Sequence, residues 1–142
     1  MPASAPDLQR FVDAQAPVYE QVRAELAAGR KRTHWMWFVF PQIQGLGRSA
    51  MALRYAIASR EEAEAYLAHP VLGARLRECS ALVLSAHGPD IDDILGPPGD
   101  LKFKSCMTLF DAVARASETL FSQCLQRFFR GERDAATLER LR

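Results

Sequence analysis

The run Thr33-His34-Trp35-Met36-Trp37-Phe38-Val39-Phe40-Pro41-Gln42 decides how this chain is read. It holds both tryptophans together with Phe38 and Phe40, and it is bracketed by His34 on one side and Gln42 on the other. So much aromatic area on an open surface would drive aggregation. The segment is therefore core, the wall of a pocket, or both. Its local form is open at this level. Thr33 could cap a short helix that Pro41 ends, and a buried strand, apolar on both faces, fits the same residues. No second strand is evident to pair with it, so a helical turn is the expected form.

Outward from that run, both flanks read as helices. Asp7 is placed to cap a first helix carrying Leu8, Phe11 and Val12. Pro17 suits the first turn of a second helix, with Val18, Tyr19, Val22 and Leu26 at helical spacing and Gly29 to stop it. After the aromatic run, Gly45 to Arg48 makes a glycine-rich bend, and Ser49 caps a helix expected to reach Ala58. Ser59 and Glu62 form a capping box for the helix through Tyr66 and Leu67. Pro70 opens a longer helix with a stripe of Leu72, Leu76, Cys79, Val83 and Ala86, ended by Gly88 and Pro89. Asp90, Asp92 and Asp93 read as an acidic turn before the break at Gly96-Pro97-Pro98-Gly99. Asp100 caps the next helix, with Leu101, Met107, Leu109, Phe110 and Val113. A further helix carries Leu120, Phe121, Leu125, Phe128 and Phe129 and stops at Gly131. Asp134 caps a short closing helix with Leu138 and Leu141. The expected fold class is all-α, one helical domain over 1–142 with 1–6 a flexible tail.

The totals narrow the function classes. A chain of 142 residues that is 49% apolar can bury one real core and is too short for two. No apolar run approaches the ~20 residues of a membrane span. Met1 to Arg10 lacks the basic start and apolar stretch of a secretory signal, so the expected location is cytoplasmic, with no membrane contact. Cys79, Cys106 and Cys124 are odd in number and embedded in apolar stretches, which reads as reduced, buried thiols. A net charge of +1 argues against nucleic acid as partner. The charge is unevenly spread, however. From Gly29 to Arg60 there is no acidic residue, while Arg30, Lys31, Arg32, Arg48, Arg54 and Arg60 all fall there. Some of these will pair with acids elsewhere. Any that remain together would form a positive pocket for phosphate or carboxylate.

Among the candidate chemical groups, His34 stands out because it sits among aromatics beside three basic residues. Such a histidine could accept a proton, or donate a hydrogen bond while neutral; a core histidine bonded to a carbonyl is the plain alternative. His69 and His87 lie at a helix junction and a helix end, where a cap and a dipole partner explain them. Lys102, Ser105 and Thr108 are spaced at i, i+3 and i+6. Lys102 lies in a first helical turn, against the dipole, as it would beside an anion bound at the free N–H groups. A lysine that simply reaches water fits equally. Asp111 is the one acid close in sequence to that face. There is no H-x-x-x-H, C-x-x-C or H-E-x-x-H, so no metal site and no cofactor is expected. Gly45-Leu46-Gly47 is too short for a dinucleotide fingerprint.

Three blocks carry a resemblance: KRTHWMWFVFPQIQGLGRSA, EAEAYLAHPVLGARLREC and DLKFKSCMTLFDA. In this order, and spanning most of the chain from Leu8 to Leu138, they resemble the uncharacterised family known as domain of unknown function 1810. The resemblance implies a compact, mostly helical cytosolic domain and no established activity. It also implies a shared polar and aromatic cluster at His34, Trp35, Trp37, Pro41, Gln42, Ser49, Tyr55, Lys102, Ser105, Thr108 and Phe110. Gly99 and Cys106 stand where more polar residues are expected.

Two functional readings follow. In the first, the aromatic run walls a pocket for a small anionic molecule, nucleotide-like or sugar-phosphate-like. Trp35 or Trp37 supplies stacking, while His34, Gln42 and Tyr55 supply hydrogen bonds. Arg48, Ser49 and Lys102 supply the anion site, with Ser105 and Thr108 beside it on the same helix. As an enzyme it would be a hydrolase or N-glycosidase-like protein using His34, Lys102 and Asp111. In the second reading the aromatic run is ordinary core, and a helical face binds a protein partner without catalysis. Convergence of His34, Gln42, Lys102 and Ser105 on one cleft separates the two.

Overall fold

The computed structural model describes residues 7–87 and 90–142. Ten helices lie among them: α1 (Gln9–Gln15), α2 (Tyr19–Ala27), α3 (Met36–Val39), α4 (Ala50–Arg54), α5 (Arg60–Ala68), α6 (Leu72–Ser85), α7 (Ile91–Leu95), α8 (Gly99–Val113), α9 (Leu120–Phe129) and α10 (Ala135–Arg140). The fold is all-α, as expected. Among the described residues the only β pairing is one isolated parallel bridge between Ile43 and Ile57.

Helix α8 runs through the middle. Phe103, Cys106, Met107, Leu109 and Phe110 are all buried, and α5, α7, α9 and α10 pack around them. The aromatic run meets this helix through Phe40, whose ring stands edge-on to Phe103 with centroids 5.0 Å apart. Trp35 packs on Phe40. Phe38 joins a second chain of rings through Tyr55, Phe11, Tyr66 and Phe110 to Phe121. Edge-on and tilted contacts of this kind suit the ring quadrupoles. The run itself is one helical turn, α3, which ends before Pro41 because that residue has no N–H to continue it.

Several local expectations hold. Ser49, Ser59 and Asp134 each accept a backbone N–H as N-caps. Gly29, at φ 77°, closes α2 in a Schellman motif: its N–H reaches Leu26 and that of Arg30 reaches Glu25. The Nδ1 of His69 accepts from the N–H groups of Val71 and Leu72, so this histidine caps α6. All three cysteines are free and buried.

Other expectations are corrected. Helix α1 is preceded by Leu8, and Asp7 offers its carbonyl to Arg10 in place of a side-chain cap. Helix α2 begins two residues beyond Pro17. Helix α4 ends at Arg54, short of Ala58, because Ile57 turns to bond Gln42 and Gln44. The Glu62 carboxylate closes its box on the N–H of Ala58, one residue before the Ser59 cap. Helix α6 starts at Leu72, two residues after Pro70. The acidic stretch is a helical turn, α7, with Ile91, Ile94 and Leu95 buried beneath it. Helix α8 starts at Gly99, so Asp100 lies in its first turn and does not cap it. In α10 the buried side chain is Thr137, while Leu138 is exposed. The proposed stop at Gly88 and Pro89 and the tail over 1–6 lie outside the described residues.

Candidate functional site

Glu25, in the last turn of α2, organises the approach to the aromatic run. Its carboxylate is 3% exposed and accepts from the N–H groups of Arg32 (2.7 Å) and Thr33 (3.0 Å). It also accepts from the hydroxyl of Thr33 (2.7 Å), the indole of Trp35 (2.9 Å) and the amide of Gln21 (2.9 Å). Burial would raise this carboxyl, but those bonds prevail and hold it down to about 2. The N–H of Lys31 donates to the carbonyl of Ile94, which ties the same loop to α7. The loop is thereby fixed at both ends, with Lys31 and His34 turned away from the core.

These residues form one side of a cleft of about 270 Å³. Trp37 and Met36 line it from α3, and Leu95, the Gly96–Gly99 turn and Lys102 close the other side. No side chain caps α8, whose first residue, Gly99, borders the cleft. The ammonium of Lys102 lies 5.3 Å from the ring centre of Trp37, and that of Lys31 lies 5.4 Å from the ring of Trp35. Burial lowers Lys31 from the usual lysine value; Glu25 opposes that and Lys102 adds to it. Among the described residues, neither ammonium has an ion-pair partner. Asp92 is raised from the usual carboxylate value chiefly by its hydrogen bond to Asp100.

The candidate residues divide into three sets. His34 is exposed and lines the cleft with half-buried Trp37 and Lys102. Trp35 borders the same cleft, but its ring is core at 1% exposure. Gln42 and Tyr55 lie behind Trp37 and Lys102, in a crevice of about 10 Å³ that holds at most one water. The remaining candidates stand apart. Arg48 is exposed on the loop before α4, outside the cleft lining, and Ser49 is the α4 cap. Ser105 lies 3.1 Å from the carbonyl of Leu101 and 3.2 Å from Asp134. Thr108 donates to the carbonyl of Lys104 and accepts the N–H of Asp134. Asp111 takes an ion pair from Arg133 at 2.6 Å. These last three join α8 to the start of α10. His34 and Lys102 therefore converge, Gln42 is one ring away, and Ser105 faces elsewhere.

Lys31 and Glu25 were not singled out in the sequence. Lys31 is one of six cations in an acid-free stretch, and nothing in the linear sequence marks Glu25. A usable signal existed for the far wall: Gly96-Pro97-Pro98-Gly99 must turn sharply just before Lys102.

Fold and site together define a class, an all-helical protein whose aromatic segment walls a small basic cleft. The chain belongs to the DUF1810 family, described as protein of unknown function, whose profile matches residues 5–141. The resemblance seen in the three sequence blocks is thus borne out. The chain is similar to the conserved hypothetical protein Rv1873 from Mycobacterium tuberculosis, known from a crystal structure. Sequence identity is 53% and the TM-score 0.92, with 95% of this chain and 96% of that chain covered. No curated protein matches the chain. Among the described residues no helix is long and apolar enough to cross a membrane.

Proposed function

We propose that this cleft binds a small anionic ligand of nucleotide-like or sugar-phosphate-like character. The observation that carries the reading is the meeting of Lys31 and Lys102, from distant parts of the chain, with no counter-charge paired to either among the described residues. Two ammonium groups held near one another repel, and an anion between them removes that repulsion. His34 adds a hydrogen-bonding ring at the rim, and Trp37 supplies apolar wall. The start of α8, which no side chain caps, turns the positive end of its dipole to the cleft at Gly99.

The reading stops at binding. No Asp or Glu is among the residues lining the cleft, and Asp111 is held by Arg133 outside it. N-glycosidase chemistry would call for a carboxylate at the reacting bond. A protein-interaction reading draws support from Leu53 and Leu101, which are 64% and 62% exposed.

A thermal-shift screen of the purified protein against inorganic phosphate, nucleoside monophosphates, sugar phosphates and ADP-ribose tests the proposal. The expected result is a saturable rise in Tm. Ligand at ~100 times its Kd adds about 2.7 kcal/mol. The rise should vanish in Lys102→Met while that variant's own Tm stays close to the parent's. A flat screen beside a working control protein would sink the anion reading and favour a protein partner.

A further inference from the structure

We infer that the group this cleft recognises is a doubly charged phosphate monoester, bound end-on between Lys31 and Lys102. The inference rests on the anion-binding reading above and narrows it to one ligand class.

The argument begins with the local charge balance. Lys31 sits on the loop locked by Glu25, and Lys102 sits in the first turn of α8. Each ammonium lies over a different indole, Trp35 and Trp37, so each is held by its own ring. Neither indole carries a compensating charge. Among the described residues no acid makes an ion pair with either lysine. Glu25 keeps its charge beneath the loop, held there by five neutral donors, outside the cleft lining and without an ion pair to Lys31. Asp92 and Asp93 lie with Arg30 and Lys31 along a neighbouring hollow, and no ion pair joins them. No Asp or Glu lines the cleft itself, so its walls present two positive charges, with the Glu25 carboxylate behind Lys31.

A monoanion such as a carboxylate, a sulfate ester or a phosphodiester neutralises one of them and leaves the other half-buried and unpaired against the indole wall. A phosphate monoester, doubly charged above its second pKa of ~6, neutralises both. Its three terminal oxygens can also take donors from several directions at once, as two ammonium groups on separate elements require. About 270 Å³ admits the phosphate head with a small body, leaving a larger body to extend outward.

The test is isothermal calorimetry at about pH 8 and low salt, with phenyl phosphate and phenyl sulfate as a matched pair. The two esters share shape and differ in charge. Phenyl phosphate should bind about tenfold more tightly, or better. Lys31→Met and Lys102→Met should each bring the two affinities together, because one positive charge then remains. Lys31→Arg and Lys102→Arg should keep the preference, which shows that charge and not side-chain packing is being read. Equal affinities in the parent protein would overturn the dianion inference and leave an unselective anion cleft standing. If neither ester binds the folded protein, the inference and the anion reading fall together.

Discussion

At the scale of single residues, Glu25 carries more than its place in the sequence suggests. A buried carboxylate is costly unless its lone pairs are filled, and here five donors fill them. Glu25→Gln keeps the shape but turns an amide NH₂ toward groups that also donate. The expected cost at neutral pH is about 2 kcal/mol or more, read from urea denaturation. The sign with pH is fixed by the direction of the shift. The carboxyl is held from 4.5 down to about 2 in the folded state, so its contribution is present above 4.5 and lost as the pH falls toward 2. The stability gap between parent and variant should therefore close over that window; a constant gap would show that the charge of Glu25 is not what stabilises the loop. Part of this was legible. His34, Trp37 and Lys102 were chosen from sequence and meet at the cleft. Glu25 was not, because five bonds converging on one carboxylate from two chain segments leave no linear pattern.

At the scale of elements, two glycines show how differently similar-looking positions behave. Gly29 ends α2 at φ 77°, with nothing within 4 Å of where a Cβ would stand. Gly29→Ala should cost only the left-handed backbone penalty, about 1 kcal/mol. Gly73 lies buried inside α6, and a Cβ there would stand 2.2 Å from the carbonyl of Leu67 at the end of α5. Alanine is intrinsically the better helix former. Gly73→Ala should nevertheless cost more than Gly29→Ala, because α5 and α6 must move apart; comparison of the two Tm values checks it. A smaller loss at Gly73 would mean that the α5–α6 contact is not tight. Helix ends with a capping side chain or a stop glycine were read correctly at Ser49, Ser59, Asp134 and Gly29. Starts without a side-chain cap were misread at α1, α2 and α8, since a nearby Asp or Pro imitates the signal when the true first turn is held by tertiary packing.

At the scale of the whole molecule, the aromatic run performs two tasks with alternate rings. Trp35, Phe38 and Phe40 belong to the core, and Trp37 separates the open cleft from the crevice behind it. Trp35→Ala should lose about 3–5 kcal/mol. Trp37→Ala, from a half-buried site, should lose clearly less and should join crevice and cleft. Denaturant midpoints for the two variants decide it, and equal losses would show that Trp37 is core as well. The basic stretch is likewise divided. Arg60 bonds the carbonyl of Ala112, Arg54 lies over Tyr55, Arg48 is exposed, and Lys31 alone of the six lines the cleft.

By itself the sequence determined that the chain is helical, that residues 33–42 would be core, pocket wall or both, and that the flanking stretch is rich in positive charge and free of acids. Those properties are written in local form: apolar spacing, capping side chains, and aromatic area too large to expose. Tertiary structure alone decided which cations meet. Lys31 and Lys102 share a cleft because Glu25 locks one loop from beneath and the Gly96–Gly99 turn delivers the first turn of α8 opposite it. Ser105, Thr108 and Asp111, though close to Lys102 in sequence, are drawn to α10 by Asp134 and Arg133. A helix turns about 100° per residue, so neighbours on one helix face different partners, and only the packing of the other helices settles which face becomes a site.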